Sequence, residues 1–280
     1  MKSGPGTGNP RAGPAFSVSV RRPEYAAGGN AERVGEGGSI FGAVVGEAGD
    51  IEVWGPAATD GMISAMSQNI AVVGAYGSGK TLLSRALSHA TGLPYTQGTA
   101  MREPIGGEGK HIWKWTPGEL LQLTVKRYAE RVVNEGRQTG GFISDGSILH
   151  EYIFAKLRLV VGPVPESDAP LDTRFRDEVT AALEEVADNI GRLAQQHAAT
   201  AYDVFFHLPI EFGLAEDNRP INEHFRSLSD QVMLPVLDQL GVPVHSVTGS
   251  PEERLEKVLA VTGLPTVMDV GKAVALGRRQ

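Results

Sequence analysis

The sequence contains no cysteine, which excludes disulfide bridges and thiolate metal sites. It has no apolar run of about 18 residues, the length that indicates a membrane-spanning helix, and its N-terminus lacks the cationic and then apolar pattern of an export signal. Basic residues are also scarce, since 26 Lys and Arg stand against 33 Asp and Glu. The net charge of −7 argues against a broad nucleic-acid-binding face. We therefore expect a cytoplasmic protein with no membrane contact, whose partners are soluble metabolites or nucleotides.

Glycine and proline are unevenly distributed along the 280 residues. The first 61 positions hold 14 of the 35 glycines, together with five prolines. A segment of this composition buries too little apolar surface to offset the entropy lost on ordering. We predict a largely disordered N-terminal extension over residues 1–65, an α/β domain over 66–265, and a weakly patterned C-terminal tail over 266–280.

The segment after the apolar run Ile70–Val73 matches the phosphate-binding pattern G-x-x-x-x-G-K-[ST], or Walker A motif, at every position. Its eight residues are Gly74, Ala75, Tyr76, Gly77, Ser78, Gly79, Lys80 and Thr81. The glycines let the backbone amides wrap around an anion, and the helix that begins where the loop ends adds its own unpaired N–H groups. Lys80 would neutralise β- and γ-phosphate oxygens, and Thr81 would place a hydroxyl on Mg²⁺. The motif predicts a site for ATP, or another nucleoside triphosphate, together with Mg²⁺.

From residue 70 onward, strand-like apolar runs alternate with amphipathic helical patterns, which is typical of a parallel sheet covered on both faces. The strand-like runs lie at 70–73, 93–96, 142–145, 202–208 and 242–247. We predict an α/β, three-layer P-loop NTPase fold with a five-stranded parallel sheet.

The helix predicted over about 148–160 has apolar residues that recur on one face. Its polar residues fall away from that face. We expect the following side chains on the surface: His150, Glu151, Lys156 and Arg158.

Three classes of P-loop protein are disfavoured by what the sequence lacks. A GTPase needs an Asn-Lys-x-Asp guanine-reading motif after its fourth strand, and here that strand leads into His207–Glu211 instead. A motor or AAA+ machine usually has two adjacent acidic residues at the end of a strand, whereas Phe142–Asp145 is followed by Gly146. The signature helix of transporter ATPases is missing too. A small-molecule kinase is what remains.

At this point the chain resembles a known family over residues 68–262. It is similar to the P-loop kinases that include ribosylnicotinamide, deoxynucleoside and thymidylate kinases, and to related uncharacterised AAA-like ATP-binding proteins. The resemblance lies in four segments, in this order: Gly74–Thr81, Phe142–Asp145, Tyr202–Pro209 and Val247–Arg254. It implies a nucleoside- or nucleotide-kinase-like fold.

The resemblance also implies catalytic and metal-binding roles. Asp145 would lie near Mg²⁺ and the acceptor hydroxyl, where its carboxylate orders a metal-bound water or accepts the hydroxyl proton. Thr81 would share the metal site. Arg219 and Arg226 correspond to lid arginines that clamp the transferring phosphoryl group together with Lys80.

Two further segments carry binding roles by the same resemblance. Arg102 and Glu103 match a polar loop on the acceptor side, after the second strand. Thr248, Gly249 and Ser250 match the loop that flanks the adenine.

The function that we infer from the sequence is an ATP- and Mg²⁺-dependent phosphotransferase acting on a small hydroxyl-bearing metabolite, with a nucleoside-like acceptor as the leading candidate. Gly146 and Ser147 stand where many nucleotide kinases have an arginine, so a nucleotide acceptor is not assigned. The alternative is a regulatory P-loop protein that binds or hydrolyses ATP to act on a protein partner through the segment 97–115 or residues 1–65. Phosphorylation of polynucleotide ends is disfavoured by the acidic charge balance. The oligomeric state, a homodimer included, stays open.

Overall fold

The structure is a computed structural model, and it describes residues 43–45, 51–53, 67–98, 110, 114–161, 178–214 and 221–279. The chain divides into two units, Met1–Gly55 and Pro56–Gln280. In the first unit, strand β1 (Ala43–Val45) pairs antiparallel with β2 (Ile51–Val53). The predicted disorder of residues 1–65 falls almost entirely outside the described residues.

The second unit is built on a five-stranded sheet in which every neighbouring pair of strands is parallel. Its strands are β3 (Asn69–Gly74), β4 (Tyr95–Gln97), β5 (Phe142–Asp145), β6 (Val204–Leu208) and β7 (Val244–Ser246). Their order across the sheet is β4-β5-β3-β6-β7, which places β3 at the centre. The predicted α/β fold with a five-stranded parallel sheet is confirmed.

The helices connect these strands and cover both faces of the sheet. They are α1 (Lys80–Thr91), α2 (Pro117–Gly136), α3 (Ile148–Val161), α4 (Glu178–Ala201), α5 (Glu223–Gln239), α6 (Pro251–Thr262) and α7 (Val270–Gly277). Among the described residues, no helix has both the length and the apolar character needed to cross a membrane.

Alternate residues of the central strand serve two separate cores. Ile70 and Val72 belong to an apolar cluster with α1, α6 and α7 on one face of the sheet. Ala71 and Val73 belong to a second cluster with α3, α4 and α5 on the other face. All four are fully buried, as expected for a strand that is covered on both sides. This strand therefore fixes the position of the glycine loop that follows it.

Helix α7 was not predicted, because the apolar pattern after Gly263 is too short to be read as an element. Asp269 caps the helix by accepting from the Lys272 N–H at 3.1 Å. Ala273 and Val274 are buried in the same cluster as α1. A Cβ on Gly277 would lie 3.1 Å from the Ala86 nitrogen, so α7 packs closely against α1. These residues extend the core beyond the predicted boundary at 265.

Candidate nucleotide-binding and acceptor site

The loop between β3 and α1 depends on glycines in backbone conformations that other residues rarely adopt. Gly74, Gly77 and Gly79 have φ angles of 139°, 71° and 99°. A Cβ atom on Gly74 would lie 2.3 Å from the carbonyl oxygen of Leu208, at the end of β6. No side chain fits in that space, so the first glycine of the motif is required by the close approach of the loop to the sheet.

His150, in the first turn of α3, holds the beginning of this loop. The Ser147 N–H donates to Nδ1 at 3.0 Å, and Nε2 lies 3.0 Å from the Gly74 carbonyl oxygen. Because Nδ1 accepts a hydrogen bond, Nε2 carries the proton and donates it to Gly74. Burial, followed by the positive charge of Lys80, lowers the pKa of His150 well below its usual value. The predicted surface position of His150 was therefore wrong, since the ring is buried and neutral.

Two arginines hold the middle of the loop through its carbonyl oxygens. Arg226 on α5 donates from Nε to the Tyr76 carbonyl at 2.7 Å, and Arg254 on α6 donates from Nη1 to the Ser78 carbonyl at 2.7 Å. The sequence predicted Arg226 as a lid arginine, and the structure places it fully buried against the loop. Two guanidinium charges thus lie directly beside the phosphate-binding segment.

Three residues in and beside the loop each have a buried polar atom without a hydrogen-bond partner. Ser78 Oγ, Arg226 Nη2 and Arg254 Nε are buried and form no hydrogen bond. A buried polar group without a partner costs about 1–3 kcal/mol, and more when it is charged. Three unsatisfied donors around one glycine loop match the anionic acceptor oxygens of a phosphate chain. The chemistry of the loop therefore fits the predicted triphosphate.

Lys80, Thr81 and Asp145 come together where the loop meets the end of β5. Thr81 Oγ1 donates to Asp145 Oδ2 at 2.7 Å, and the Tyr95 hydroxyl lies 2.9 Å from the same oxygen. Lys80 Nζ donates to the Ala75 carbonyl at 2.7 Å. Asp145 thus has one oxygen occupied by two hydroxyl groups, which orients its carboxylate.

Opposing effects set the pKa of Lys80. Burial lowers its pKa to about 8, while Asp145 and Asp230 act to raise it and Arg226 lowers it further. Asp230 lies on α5, one turn after Arg226. A phosphate group placed beside the ammonium would restore its preference for the charged form.

The predicted Mg²⁺ site can be tested against the oxygen donors at this position. Within the described residues, no group of three or more His, Cys, Asp and Glu side chains could hold a metal ion. Mg²⁺ characteristically binds through one or two carboxylates with phosphates and water, and does not need an all-protein cage. Thr81 and Asp145 supply two hard oxygen ligands close together. The residues present therefore fit Mg²⁺ that is held jointly with phosphate oxygens.

A buried network of charges lies on the other side of Asp145. Arg131 donates from Nη1 to Ser144 Oγ at 2.7 Å, and from Nη2 to the Asp145 carbonyl at 3.4 Å and to Glu151 Oε1 at 3.1 Å. Arg127 pairs with the second oxygen of Glu151. Burial acts to lower the pKa of Arg131, but Glu151 and other neighbours outweigh it, so the pKa is raised. The network attaches the end of β5 to α2 and α3.

A small pocket opens beside this network, between α2 and α3. Its walls include Arg127, Glu151, Phe154 and Arg158. Glu151 and Arg158 are buried, so their predicted surface positions were wrong; Lys156, as predicted, is only partly covered. The pocket places a carboxylate and two guanidinium groups against apolar walls, within reach of the residues that contact Asp145.

The predicted adenine-flanking loop lies between β7 and α6. Its Gly249 N–H donates to Glu211 at 3.3 Å. Glu211 also pairs with Arg254, and this hydrogen bond lowers the pKa of the Glu211 carboxyl. Ser250 caps α6 together with Glu253. The segment Thr248–Ser250 is thus joined, through Glu211 and Arg254, to the loop at Ser78.

The structure brings together most of the predicted site and leaves part of it untested. Lys80, Thr81, Asp145 and Arg226 surround the glycine loop. Arg102, Glu103 and Arg219 lie outside the described residues.

Several site residues were missed by the sequence analysis: Arg127, Arg131, His150, Glu151 and Asp230. Each lies on a helix whose polar residues look like an ordinary solvated face. The only usable signal is that His150 and Glu151 follow Asp145 within two helical turns.

Comparison with known proteins agrees with this geometry. The profile of a family described as an AAA domain matches residues 69–254, which is more than half of the chain. The chain belongs to this AAA-domain family. The comparison with curated proteins returned no match.

Among solved structures, deoxyadenosine kinase from M. mycoides with bound dATP has a TM-score of 0.50 and 13% sequence identity, and the match covers 70% of this chain and 99% of the kinase. The same kinase with bound dCTP has a TM-score of 0.43 and 14% identity, over 70% and 98% of the two chains. NadR protein in complex with NR has a TM-score of 0.41 and 13% identity, over 73% and 52%. The likeness to the dATP complex shows the fold. The resemblance to P-loop nucleoside kinases is confirmed at that level.

Proposed function

We propose that this protein is an ATP- and Mg²⁺-dependent phosphotransferase acting on a small, nucleoside-like acceptor that bears a hydroxyl group. The observation that carries the proposal is the convergence of Lys80, Thr81 and Asp145 at the mouth of a glycine loop, with unsatisfied buried donors on Ser78 and Arg226. A phosphate chain in this loop brings its terminal group to Lys80. Asp145 then lies on the side from which an acceptor approaches.

In the proposed reaction, the acceptor hydroxyl oxygen forms a bond to the γ-phosphorus while the bond from that phosphorus to the β,γ-bridging oxygen breaks. The hydroxyl proton passes to the Asp145 carboxylate, and the products are ADP and a phosphate ester. Lys80 and Arg226 stabilise the negative charge on the transferring group. Thr81 and Tyr95 orient the Asp145 carboxylate through hydrogen bonds to Oδ2.

When bound, Mg²⁺ would supply charge neutralisation across the β- and γ-phosphates. Thr81 and Asp145 are the residues that would hold it. The positions of His150, Arg226 and Arg254 keep the loop in one conformation, so little reorganisation accompanies binding.

The pocket between α2 and α3 has room for only about one water molecule, so it would have to widen to admit a nucleoside-like acceptor. Arg127 and Glu151 present hydrogen-bond donors and acceptors side by side, as the polar edge of a heterocyclic base requires. Phe154 would lie on the apolar side of the widened pocket. Arg131 connects this pocket to Asp145, so the acceptor and the proposed base share one support.

Further residues would complete the proposed site. Arg219 would close over the transferring phosphoryl group and exclude water, and Arg102 and Glu103 would contact the acceptor. Thr248, Gly249 and Ser250 would flank the adenine. The proposed dependence on ATP and Mg²⁺ makes the cytoplasm the proposed location.

The test is a transfer assay with γ-labelled ATP, Mg²⁺ and a panel of nucleosides, sugars and amino alcohols. The proposal predicts ADP release that depends on an acceptor, together with a labelled product of the mass of a phosphate ester. Lys80→Ala serves as the inactive variant, and Lys126→Ala, on the exposed side of α2, is the matched control.

Slow hydrolysis that no acceptor stimulates would contradict the kinase proposal. That result would favour the regulatory alternative, in which ATP occupancy acts on a protein partner.

A further inference from the structure

The outer face of α4 carries an apolar stripe that the described part of the fold does not use. Val179, Val186 and Leu193 are 68%, 46% and 55% exposed, and they recur every seven residues. The positions between them are held by Ala182, Asn189 and Gln196. A seven-residue repeat of this kind is the pattern by which one helix packs along another.

The stripe is distinct from the face that α4 buries in its own subunit. Apart from Glu184, the buried residues are small, namely Ala187, Gly191, Ala194 and Ala198. A Cβ on Gly191 would lie 2.6 Å from the Tyr152 ring, so this face packs closely on α3. The described residues therefore give the stripe no partner within the chain.

Helix α2 extends the apolar surface beside the stripe. Leu121 of α2 clusters with Ala187 of α4, and the Tyr128 ring lies 6.4 Å from the His197 ring, so the two helices lie side by side. Val125 is one turn from both Leu121 and Tyr128 and is 53% exposed. It adds a large apolar side chain next to α4.

The charges beside the stripe indicate what covers it. Glu185 and Arg192 both lie on the same edge, seven residues apart, at the position before each valine or leucine of the repeat. Within the described residues neither forms an ion pair with another side chain. If two α4 helices pack antiparallel, Glu185 of each copy faces Arg192 of the other, and the contact occurs twice by symmetry. In a parallel pair these charges would face Ile190 and His197 instead.

We propose that two copies of this chain associate through α4 in an antiparallel, two-fold symmetric pair. In this register Val186 packs against Asn189 of the second copy, and Ala182 packs against Leu193. Val179 packs against Gln196 at the two ends. The pair of Glu185–Arg192 contacts fixes the register, because sliding either helix by one turn would separate the charges.

The pairing would stabilise the wall of the acceptor pocket. Helix α4 packs on α3, which carries Glu151 and Phe154 of that pocket. Association of two copies would hold α3 between α4 and the sheet in both subunits. The inference does not depend on the proposed reaction, since it concerns a surface remote from the glycine loop.

The test is sedimentation equilibrium of the full chain over a range of concentrations. We expect a dimer for the wild type. Glu185→Arg and Arg192→Glu should each raise the dimer dissociation constant by roughly tenfold or more, since each places like charges together twice. The variant with both changes should recover most of the wild-type affinity. Glu256→Arg, an exposed charge reversal on α6, is the matched control and should not alter the dimer.

A wild type that stays monomeric overturns the proposal. So does a dimer that neither reversal weakens, because it would use another face, and so does a double variant that is not restored.

The absence of native cysteine allows a second measurement should a charge variant fail to fold. Oxidation of a mixture of Val186→Cys and Asn189→Cys should form a cross-link between copies in the antiparallel register. Cross-linking of each variant with itself but not of the mixture would contradict that register.

Discussion

The nucleotide side and the acceptor side of the site differ in how completely the hydrogen bonds of their buried arginines are satisfied. On the nucleotide side, Arg226 pairs with Glu223 and Arg254 with Glu211, and both donate to carbonyl oxygens of the loop, yet each keeps a buried nitrogen without a partner. On the acceptor side, Arg127 and Arg131 share the carboxylate of Glu151, and Arg131 also pairs with Glu135. The first arrangement leaves two buried guanidinium nitrogens for a ligand to satisfy, whereas neither Arg127 nor Arg131 has a buried nitrogen without a partner.

This difference teaches what each side can recognise. The glycine loop suits an anion, because an acceptor of hydrogen bonds would satisfy its buried donors. The paired network can orient a neutral polar group without a large change in charge. We therefore expect substitutions on the two sides to have different effects.

The largest effect is expected for Lys80→Ala. Loss of the ammonium would remove the charge that we propose faces the terminal phosphate, so turnover should fall by about 10³-fold or more. The far-UV circular dichroism spectrum and the melting temperature should change little, because Lys80 is not part of either apolar core. Turnover close to that of the wild type would contradict the placement of the γ-phosphate.

Asp145→Asn should have the next largest effect. The amide keeps the shape and can still accept from Thr81, but it cannot accept the proton of the acceptor. We expect kcat to fall by roughly 10²–10³-fold with little change in the dissociation constant for ATP, measured by calorimetry. An unchanged kcat would show that Asp145 has only a structural role.

Glu151→Gln should impair the acceptor side and leave the nucleotide side intact. Removing the carboxylate leaves Arg127 and Arg131 without their shared partner and disturbs the pocket. We expect KM for the acceptor to rise by roughly 10- to 100-fold, the range for losing hydrogen bonds to a charged group, while the affinity for ATP stays within about twofold. Conversely, a large loss of ATP affinity would show that the two sides are not separable. The free energy of unfolding should also fall, which a denaturant titration measures.

The smallest expected effect is the dependence of ATP affinity on pH. Because the pKa of Lys80 is about 8, its charge is lost as the pH rises through that value, and ATP affinity should fall by about tenfold between pH 7 and pH 9. Lys80→Arg should remove this dependence. A pH-independent affinity in the wild type would contradict it.

The same group has the opposite effect on the stability of the ligand-free protein. The unfolded lysine has a pKa of 10.5, so between pH 8 and 10.5 the unfolded state binds more protons than the folded state. The contribution of Lys80 to the free energy of unfolding therefore rises with pH in that window. Denaturant titrations of the wild type and Lys80→Arg at several pH values measure it.

The nucleotide side could be predicted from the sequence because its information is contiguous. Eight consecutive residues specify the glycine loop, and the strand before it and the helix after it are evident from their periodicity. The place of Asp145 was implied by the resemblance to P-loop kinases, and in the structure its strand lies beside β3, where the carboxyl ends of parallel strands meet.

The acceptor side could not be predicted, because its parts come from separate helices. Arg131 and Glu135 are four residues apart on α2 and read as an exposed ion pair of a helix surface. Only the packing of α2 on α3 buries them and brings Glu151 to Arg131. Arg226 shows the same limitation, since its helix was predicted but its burial beneath Tyr76 depends on how α5 packs.

The most direct test of the account is a calorimetric titration of the full chain with ATP in the presence of Mg²⁺, set beside the same titration of Lys80→Ala. The account predicts saturable binding at one site per chain in the wild type and a much weaker or undetectable signal in the variant. Absence of binding to the wild type, or equal affinity for both proteins, would contradict the claim that a triphosphate occupies the glycine loop.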